Sequence, residues 1–180
     1  MKSRITILIL FLCVLNFSVS AQTEQKTKKE LKAEQEQKKQ KEVEELIEAK
    51  NFVFEAQKVT PQGGRLIFLD DYSHFLKFNT DKTTSDLPFF GRAYNVGYNS
   101  DGGIKFEGKP ENIKVSKKSK NINLQATVKG TNDSYDLFFR IFYNGTATLT
   151  VNSINRATIN YDGIISAPKV DESKSDDLKP

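Results

Sequence analysis

A two-residue period in hydropathy constrains the fold of this chain more than any other feature. The run INLQATV at 122–128 alternates apolar with polar side chains, and the same alternation recurs at 146–151 and 157–161. Successive side chains of a strand point to opposite faces, so each run predicts a strand with one buried and one wet face. Further strands are expected at 52–59, 65–69, 74–79, 104–108, 112–117 and 137–143. The sequence therefore predicts a mainly β fold, an antiparallel meander of about eight to nine strands forming a barrel or sandwich, preceded by an N-terminal helix.

Short turn signals separate the predicted strands. Asn144-Gly145 lies between two of them, and both residues tolerate the positive φ of a two-residue type I′ hairpin. Gly130–Asp133 and Ser153–Arg156 mark two further reversals. Connections this short join antiparallel neighbours.

The segment LFFRIFY at 137–143 departs from the alternation because it is apolar on both faces. A strand of this kind is usually covered on both sides. Val43, Leu46 and Ile47 have the spacing of a short helical packing face, and we expect that helix to cover the second side of the strand. A protein partner or a lipid is the alternative cover.

The N-terminus has the layout of a secretory signal peptide. Lys2 and Arg4 precede an apolar run at 5–15, which is much shorter than the roughly 20 residues that span a bilayer. Small side chains before position 22 predict cleavage between Ala21 and Gln22. We therefore expect an exported protein with no transmembrane segment after cleavage. Cys13 is the only cysteine, so the mature chain would contain no disulfide.

Composition divides the rest of the chain. A charged helical lead segment or linker is expected at 22–50, a β domain at 51–167 and a disordered tail at 168–180. The formal net charge is +4, and removing Lys2 and Arg4 leaves +4 − 2 = +2. So small an excess does not favour a nucleic-acid partner, whose binders concentrate basic groups on one face.

Residue types with catalytic or metal-binding chemistry are sparse. The chain has one histidine, His74, and its position after a polar turn is typical of a surface residue. Asp70 and Asp71 near His74 are a weak metal signal, because no second ligand cluster accompanies them. An EF-hand alignment around Asn99–Gly102 lacks the carboxylates required at both ends of the loop. We expect no enzyme activity, no metal and no cofactor.

The segment LPFFGRAYNVGYNSDGG at 87–103 is the strongest candidate for a binding site, because it is both aromatic and rich in glycine. One interpretation is a ligand-binding mouth, with Arg92 meeting an anionic head and aromatic rings forming the contact area. The alternative is a plug packed on the end of the barrel. The candidate ligand-binding residues are Phe89, Phe90, Arg92, Tyr94 and Tyr98.

Four phrases in order carry a resemblance to a known family: NFVFEAQKVTPQGGR, LPFFGRAY, DGGIKFEG and NGTATLTVNSINRATINYDG. They resemble the exported proteins of the Bacteroidota catalogued as domain of unknown function 4251, over about residues 45–166. The resemblance implies export to the periplasm or envelope of a Gram-negative bacterium, and it carries no known site. We expect a non-enzymatic protein that binds an apolar or amphipathic small molecule. The alternative is an interaction module that binds another envelope protein.

Overall fold

A computed structural model describes residues 28–69, 73–94, 102–131 and 133–169. The chain divides into two compact units, residues 1–35 and 36–180. Of the first unit, only 28–35 is described, and it is an exposed helical segment. The second unit contains the end of the helix and all of the strands. No helix among the described residues is long and apolar enough to cross a membrane.

Among the described residues, one helix precedes the sheet, α1 (Lys28–Glu48). Its only buried residues are Val43 and Ile47, four apart and therefore on one face. The helix ends in a Schellman turn: the amide of Lys50 donates to Ile47 O at 3.1 Å, and that of Asn51 donates to Leu46 O at 3.2 Å. Lys50 takes the left-handed conformation that this turn requires, with φ of 49°. The turn directs the chain straight into the first strand.

Ten strands follow the helix within the described ranges. Their bounds are β1 (Phe52–Pro61), β2 (Ile67–Phe68), β3 (Phe75–Phe78), β4 (Thr83–Leu87), β5 (Ile104–Gly108), β6 (Pro110–Lys117), β7 (Asn121–Lys129), β8 (Ser134–Phe142), β9 (Thr146–Ser153) and β10 (Ile159–Ser166).

The strands pair antiparallel in a single sheet. Nine of them follow the order β5-β4-β3-β1-β10-β9-β8-β7-β6, and β2 pairs with β1 beside this path. The strands at the two ends of the order, β5 and β6, are consecutive in the chain and separated only by Lys109. The sheet therefore curls into a nearly closed barrel, which confirms the predicted class and selects the barrel over the sandwich.

Close packing marks the gap between the two ends of the sheet. The rings of Phe106 on β5 and Tyr135 on β8 stack with centroids 4.6 Å apart. A Cβ atom at Gly108 would lie 2.5 Å from the carbonyl oxygen of Lys129 at the end of β7. Because any larger residue would collide there, Gly108 allows β5 to approach β7 across the gap.

The core lies on the inner face of the barrel. Phe139 is central, with its ring edge-on to the rings of Phe52, Phe54 and Phe78 at 5.5, 5.9 and 6.1 Å. Such edge-to-face contacts add to the stabilisation that burial of the rings already gives. Val43 and Ile47 of α1 belong to the same buried cluster.

The predicted position of the helix is wrong. The side chains of β8 alternate strictly between buried and exposed, so its outer face has no cover among the described residues. The C-terminal half of α1 instead packs at the barrel end that holds the β8–β9 hairpin. There Lys39 Cε would lie 2.9 Å from a Cβ atom at Gly145, and Lys117 at the end of β6 pairs with Glu48 at 2.5 Å. The two buried residues of the helix thereby join the hydrophobic core of the barrel.

The predicted turn type between β8 and β9 is also wrong, although the hairpin is present. Three residues, 143–145, connect the strands, and the amide of Gly145 donates to Phe142 O at 2.9 Å. Gly145 has φ of 88°, whereas Asn144 is not in the left-handed region. The Asn144 side chain instead accepts hydrogen bonds from the amide and the hydroxyl of Thr146. A type I′ turn needs positive φ at both central residues, so only the longer loop fits.

Candidate functional site

Phe89 of the predicted mouth is packed against the core. It is half-buried, and the guanidinium of Arg156 lies 5.3 Å above the centre of its ring. A Cβ atom at Gly91 would lie 2.6 Å from the tip of that ring, so the glycine allows the ring to fold back against the loop. This contact fits the plug interpretation for Phe89.

The other described residues of the predicted mouth are exposed to solvent. Phe90 and Tyr94 are 50% and 68% exposed, and Arg92 is also exposed. The amide of Tyr94 donates to Asn155 O, and Arg92 O accepts from the amide of Ala157. Tyr98 lies outside the described residues, as do Ala21 and Gln22 of the predicted cleavage site. Binding by this set stays a prediction.

Arg156 is a buried charged residue that bonds to the loop at 87–103. It is 8% exposed, and its Nη1 donates to the carbonyl oxygens of Gly102 and Gly103 at 2.8 and 2.5 Å. Beside it the buried hydroxyl of Tyr161 donates to Pro88 O at 2.7 Å. Burial raises the pKa of Tyr161, and the positive charge of Arg156 offsets part of that rise. These bonds hold both ends of the loop to the barrel.

A second candidate site lies on the outer face of β7 to β10 and β1. Strand pairing places its side chains in two parallel rows that cross five strands. One row is Asn123, Arg140, Thr148, Asp162 and Lys58. The other is Gln125, Phe138, Thr150, Asn160 and Thr60. All of these residues except Lys58 line a groove of about 580 Å³, which we call the outer groove.

The β9–β10 side of the outer groove satisfies its own polar groups. The hydroxyl of Thr148 donates to Asp162 Oδ1 at 2.8 Å, and that of Thr150 donates to Asn160 Oδ1 at 2.6 Å. Such cross-strand pairs stabilise a sheet modestly. At the end of the first row, Lys58 lies 5.3 Å above the centre of the Phe68 ring. These side chains are therefore held in place.

The β7–β8 side of the outer groove is different. The side chains of Asn123, Gln125 and Arg140 make no hydrogen bond or ion pair with another described residue. Phe138 lies among them and is 37% exposed. Phe138 and Gln125 also line a smaller neighbouring depression of about 190 Å³, which includes Lys114. One aromatic ring thus lies beside an unpaired guanidinium and two unpaired amides.

One sequence feature indicated part of this site. The segment 137–143 stood out as apolar on both faces, and its outer residues are those now found exposed. The polar half of each alternating strand supplies the rest of the groove. Sequence reasoning did not identify the groove because it treated those polar residues as a solvated face. It also favoured the helix as the cover of 137–143, with a protein partner or a lipid as the alternative.

The weak metal signal receives no support from the described residues. Asp70 and Asp71 lie outside them, and His74 is half-buried with its carbonyl accepting from the amide of Ala56. No three histidine, cysteine, aspartate or glutamate side chains come together within the described ranges.

The described residues define a small, helix-capped β-barrel protein with a polar groove on its outer face. The family model for Domain of unknown function (DUF4251) matches residues 34–165, so the chain belongs to this family and the resemblance read from its sequence is confirmed. A crystal structure of a DUF4251 family protein from Bacteroides eggerthii DSM 20697 has a similar fold. It has a TM-score of 0.58 and 25% sequence identity, over 72% of this chain and 87% of that one. No curated protein matches the chain.

Proposed function

We propose that this is an exported, non-enzymatic envelope protein that binds a small amphipathic molecule in the outer groove. The observation that carries the proposal is the exposed ring of Phe138 beside three polar side chains with unused hydrogen-bonding capacity. Small-molecule sites typically combine an apolar contact with a few placed polar groups, in pockets of about 300–1,000 Å³. The outer groove, at about 580 Å³, fits this range.

The inner face is a less favourable place for a ligand. Phe52, Phe54, Phe78 and Phe139 are buried in the barrel interior and their rings pack on one another. A ligand there would have to displace well-packed side chains, and each lost contact would cost free energy. On the outer face, by contrast, binding needs no rearrangement of the core.

The chemistry of the groove favours binding over catalysis. Among the described residues, its lining contains one carboxylate, Asp162, and neither histidine nor cysteine. General acid–base catalysis requires a positioned proton donor and acceptor, and hydrolysis of glycosides commonly uses two carboxylates. Export is supported by the basic and apolar N-terminal segment, and by a family resemblance that implies an envelope location.

The test compares two exposed phenylalanines in different places. The chain is expressed with its own N-terminus, purified from the envelope under mild conditions, and weighed intact and after solvent extraction. We expect a defined extra mass on the native protein that Phe138→Ser removes and Phe90→Ser leaves in place. Loss with Phe90→Ser alone would place binding at the 87–103 loop and contradict the proposal. A bare mass in every sample would also count against it.

A second candidate function is an interaction module in an envelope assembly. Phe142, on the same outer face of β8, is 36% exposed and lies outside the groove lining. Exposed apolar residues that are adjacent on one face are typical of protein contacts. In that case a co-purifying protein, lost with Phe142→Ser, would replace the small extra mass.

A further inference from the structure

We infer that the ligand of the outer groove is an acidic saccharide, whose carboxylate binds Arg140 and whose apolar ring face stacks on Phe138. This inference rests on the proposed function, because it names the class of molecule that the same groove would bind. It depends on three features: an unpaired guanidinium, two unpaired amides and a single aromatic platform.

The guanidinium of Arg140 is the feature that indicates an acid. Arginine has five N–H donors in a planar fork that matches a carboxylate in two parallel hydrogen bonds. None of these donors is used within the described part of the chain. Its cross-strand neighbours are Asn123 and Thr148, both uncharged, so no carboxylate competes directly beside it.

The charges around Arg140 allow a bound anion. Asp162 lies two strands away in the same row and already accepts the Thr148 hydroxyl. Asp136 lines the adjoining depression and accepts the Thr127 hydroxyl at 2.8 Å. Two more cations flank these carboxylates, Lys58 at the end of the row and Lys114 in the depression. Three cations thus accompany two carboxylates on this surface, and each carboxylate already accepts a hydroxyl hydrogen bond.

The amides indicate a polyhydroxylated ligand. Asn123 lies opposite Arg140 and Gln125 lies opposite Phe138 in the β7–β8 pairing. A primary amide both donates and accepts, as adjacent sugar hydroxyls also do. Two amides on one strand, two residues apart, present such pairs at a spacing of about 7 Å. The second oxygen of Asp162 offers a further acceptor for a hydroxyl.

Phe138 indicates the shape of the apolar part of the ligand. It is the one exposed aromatic ring in a lining that is otherwise mainly amides, hydroxyls and charged groups. An acyl chain would leave those groups without partners, and lost hydrogen bonds of this kind weaken binding strongly. A sugar ring has one apolar C–H face and a rim of hydroxyls. It can therefore stack on Phe138 and also hydrogen-bond to the polar side chains of the groove. Arg140 and Phe138 lie about 7 Å apart along β8, within reach of one acidic sugar or two linked ones.

The experiment uses acidic oligosaccharides and neutral counterparts. The probes are trigalacturonic acid, a hyaluronan tetrasaccharide and sialyllactose, with the carboxyl-reduced forms of the first two and lactose for the third. Binding to the isotope-labelled chain is followed by amide chemical shifts and by calorimetry. We expect at least one acidic probe to shift amides of β7 and β8 and to bind at least about tenfold tighter than its neutral partner.

Variants of Arg140 and Arg65 test whether the acidic probe binds at one specific arginine or is attracted by the overall positive charge. Arg140→Gln should weaken the acidic probe at least about tenfold, and Arg140→Lys should give an intermediate loss because it keeps the charge without the fork. The control Arg65→Gln removes an exposed arginine from the β1–β2 turn and should leave affinity unchanged. Raising the salt concentration should weaken the acidic probe and spare its neutral partner.

Each other outcome counts against the inference in a distinct way. If neutral and acidic probes bind the groove equally, the ligand is not an acid, although the proposed function survives. If acetate or inorganic phosphate binds as tightly as the saccharides, Arg140 is a simple anion site. If no probe shifts β7 or β8 while native protein still carries a Phe138-dependent mass, the ligand belongs to another class. If that mass is absent as well, the proposed function fails together with this inference.

Discussion

Both faces of β8 carry phenylalanine, yet the two faces have opposite roles. Leu137, Phe139 and Ile141 on the inner face are at most 2% exposed, whereas Phe138 and Phe142 on the outer face are 37% and 36% exposed. Neighbouring residues of one strand thus lie in different environments. The inner residues meet aromatic rings, and the outer ones meet amides and hydroxyls of their own sheet.

This difference shows that apolar character alone does not assign a residue to a core. A buried ring contributes through the water it no longer contacts and the atoms it touches. A half-exposed ring on a polar face stabilises the fold little and remains available to a partner. We therefore assign folding stability to the inner face of β8 and binding to its outer face. Each prediction below tests one side of that division.

The largest effect is expected for Phe139→Ala. Removing this ring leaves a cavity among three other phenylalanine rings and should lower the free energy of unfolding by about 3–5 kcal/mol. Urea denaturation of the chain from residue 22 onward measures it, with Phe142→Ala as the matched control on the outer face. A similar loss in both variants would show that the two faces do not differ in energetic role.

A smaller loss is expected for Ile47→Ala in α1. Ile47 is fully buried in the core at the barrel end, so its truncation should cost about 2–4 kcal/mol. The control is Leu31→Ala, which changes a 46% exposed residue of the same helix and should cost little. If Ile47→Ala cost no more than Leu31→Ala, the helix would not be part of the core.

The period-two pattern was sufficient to predict the fold class, because alternation reports directly which face of a strand is buried. It located β7 and β9 well, where apolar and polar residues alternate cleanly, and it found the start of β10, which continues to Ser166. It missed β4, whose inward residues include Thr83 and Ser85. These polar groups are buried because their hydroxyls donate to the carbonyls of Asn79 and Ile104. Hydropathy alone cannot reveal that a polar side chain has a hydrogen-bond partner in the folded chain.

The candidate site was less predictable than the fold for a related reason. The two rows of the outer groove depend on the pairing register of five strands, and register follows from the whole sheet. Arg140 looked like an ordinary exposed residue until its neighbours were known to be uncharged. Arg156 was read only as part of a turn, yet it is buried and bonded to Gly102 and Gly103, more than fifty residues away.

A moderate effect of pH is expected from the inner face. The pKa of Tyr161 is raised above its ordinary value near 10, mainly because the side chain is buried. Burial raises the pKa of Tyr135 in the same direction. A raised folded-state pKa gives stability that is present below pH 10 and is lost as the pH rises past the unfolded-state value. The free energy of unfolding should therefore fall above about pH 10.

Tyr161→Phe tests the source of that pH dependence. The variant loses the hydrogen bond to Pro88 O and should be about 0.5–1.5 kcal/mol less stable at neutral pH. Its stability should also decline less steeply above pH 10, because one ionisable group has been removed. Urea titrations at pH 7, 9 and 11 measure both effects. An unchanged alkaline slope would assign the decline to Tyr135 or to other groups.

The smallest effect on stability is expected for Phe138→Ser, the variant that should abolish binding. Phe138 lies between Gln125 and Thr150 on the outer face, and cross-strand pairs of this kind contribute only about 0.2–1 kcal/mol. Serine fits an exposed strand position, so the free energy of unfolding should change by no more than about 0.5 kcal/mol. Urea denaturation of Phe138→Ser and Phe139→Ala under the same conditions compares the free energies of unfolding of the two variants. A loss above about 2 kcal/mol would mean that Phe138 supports the fold, and loss of binding in that variant would then no longer identify the outer groove as the site.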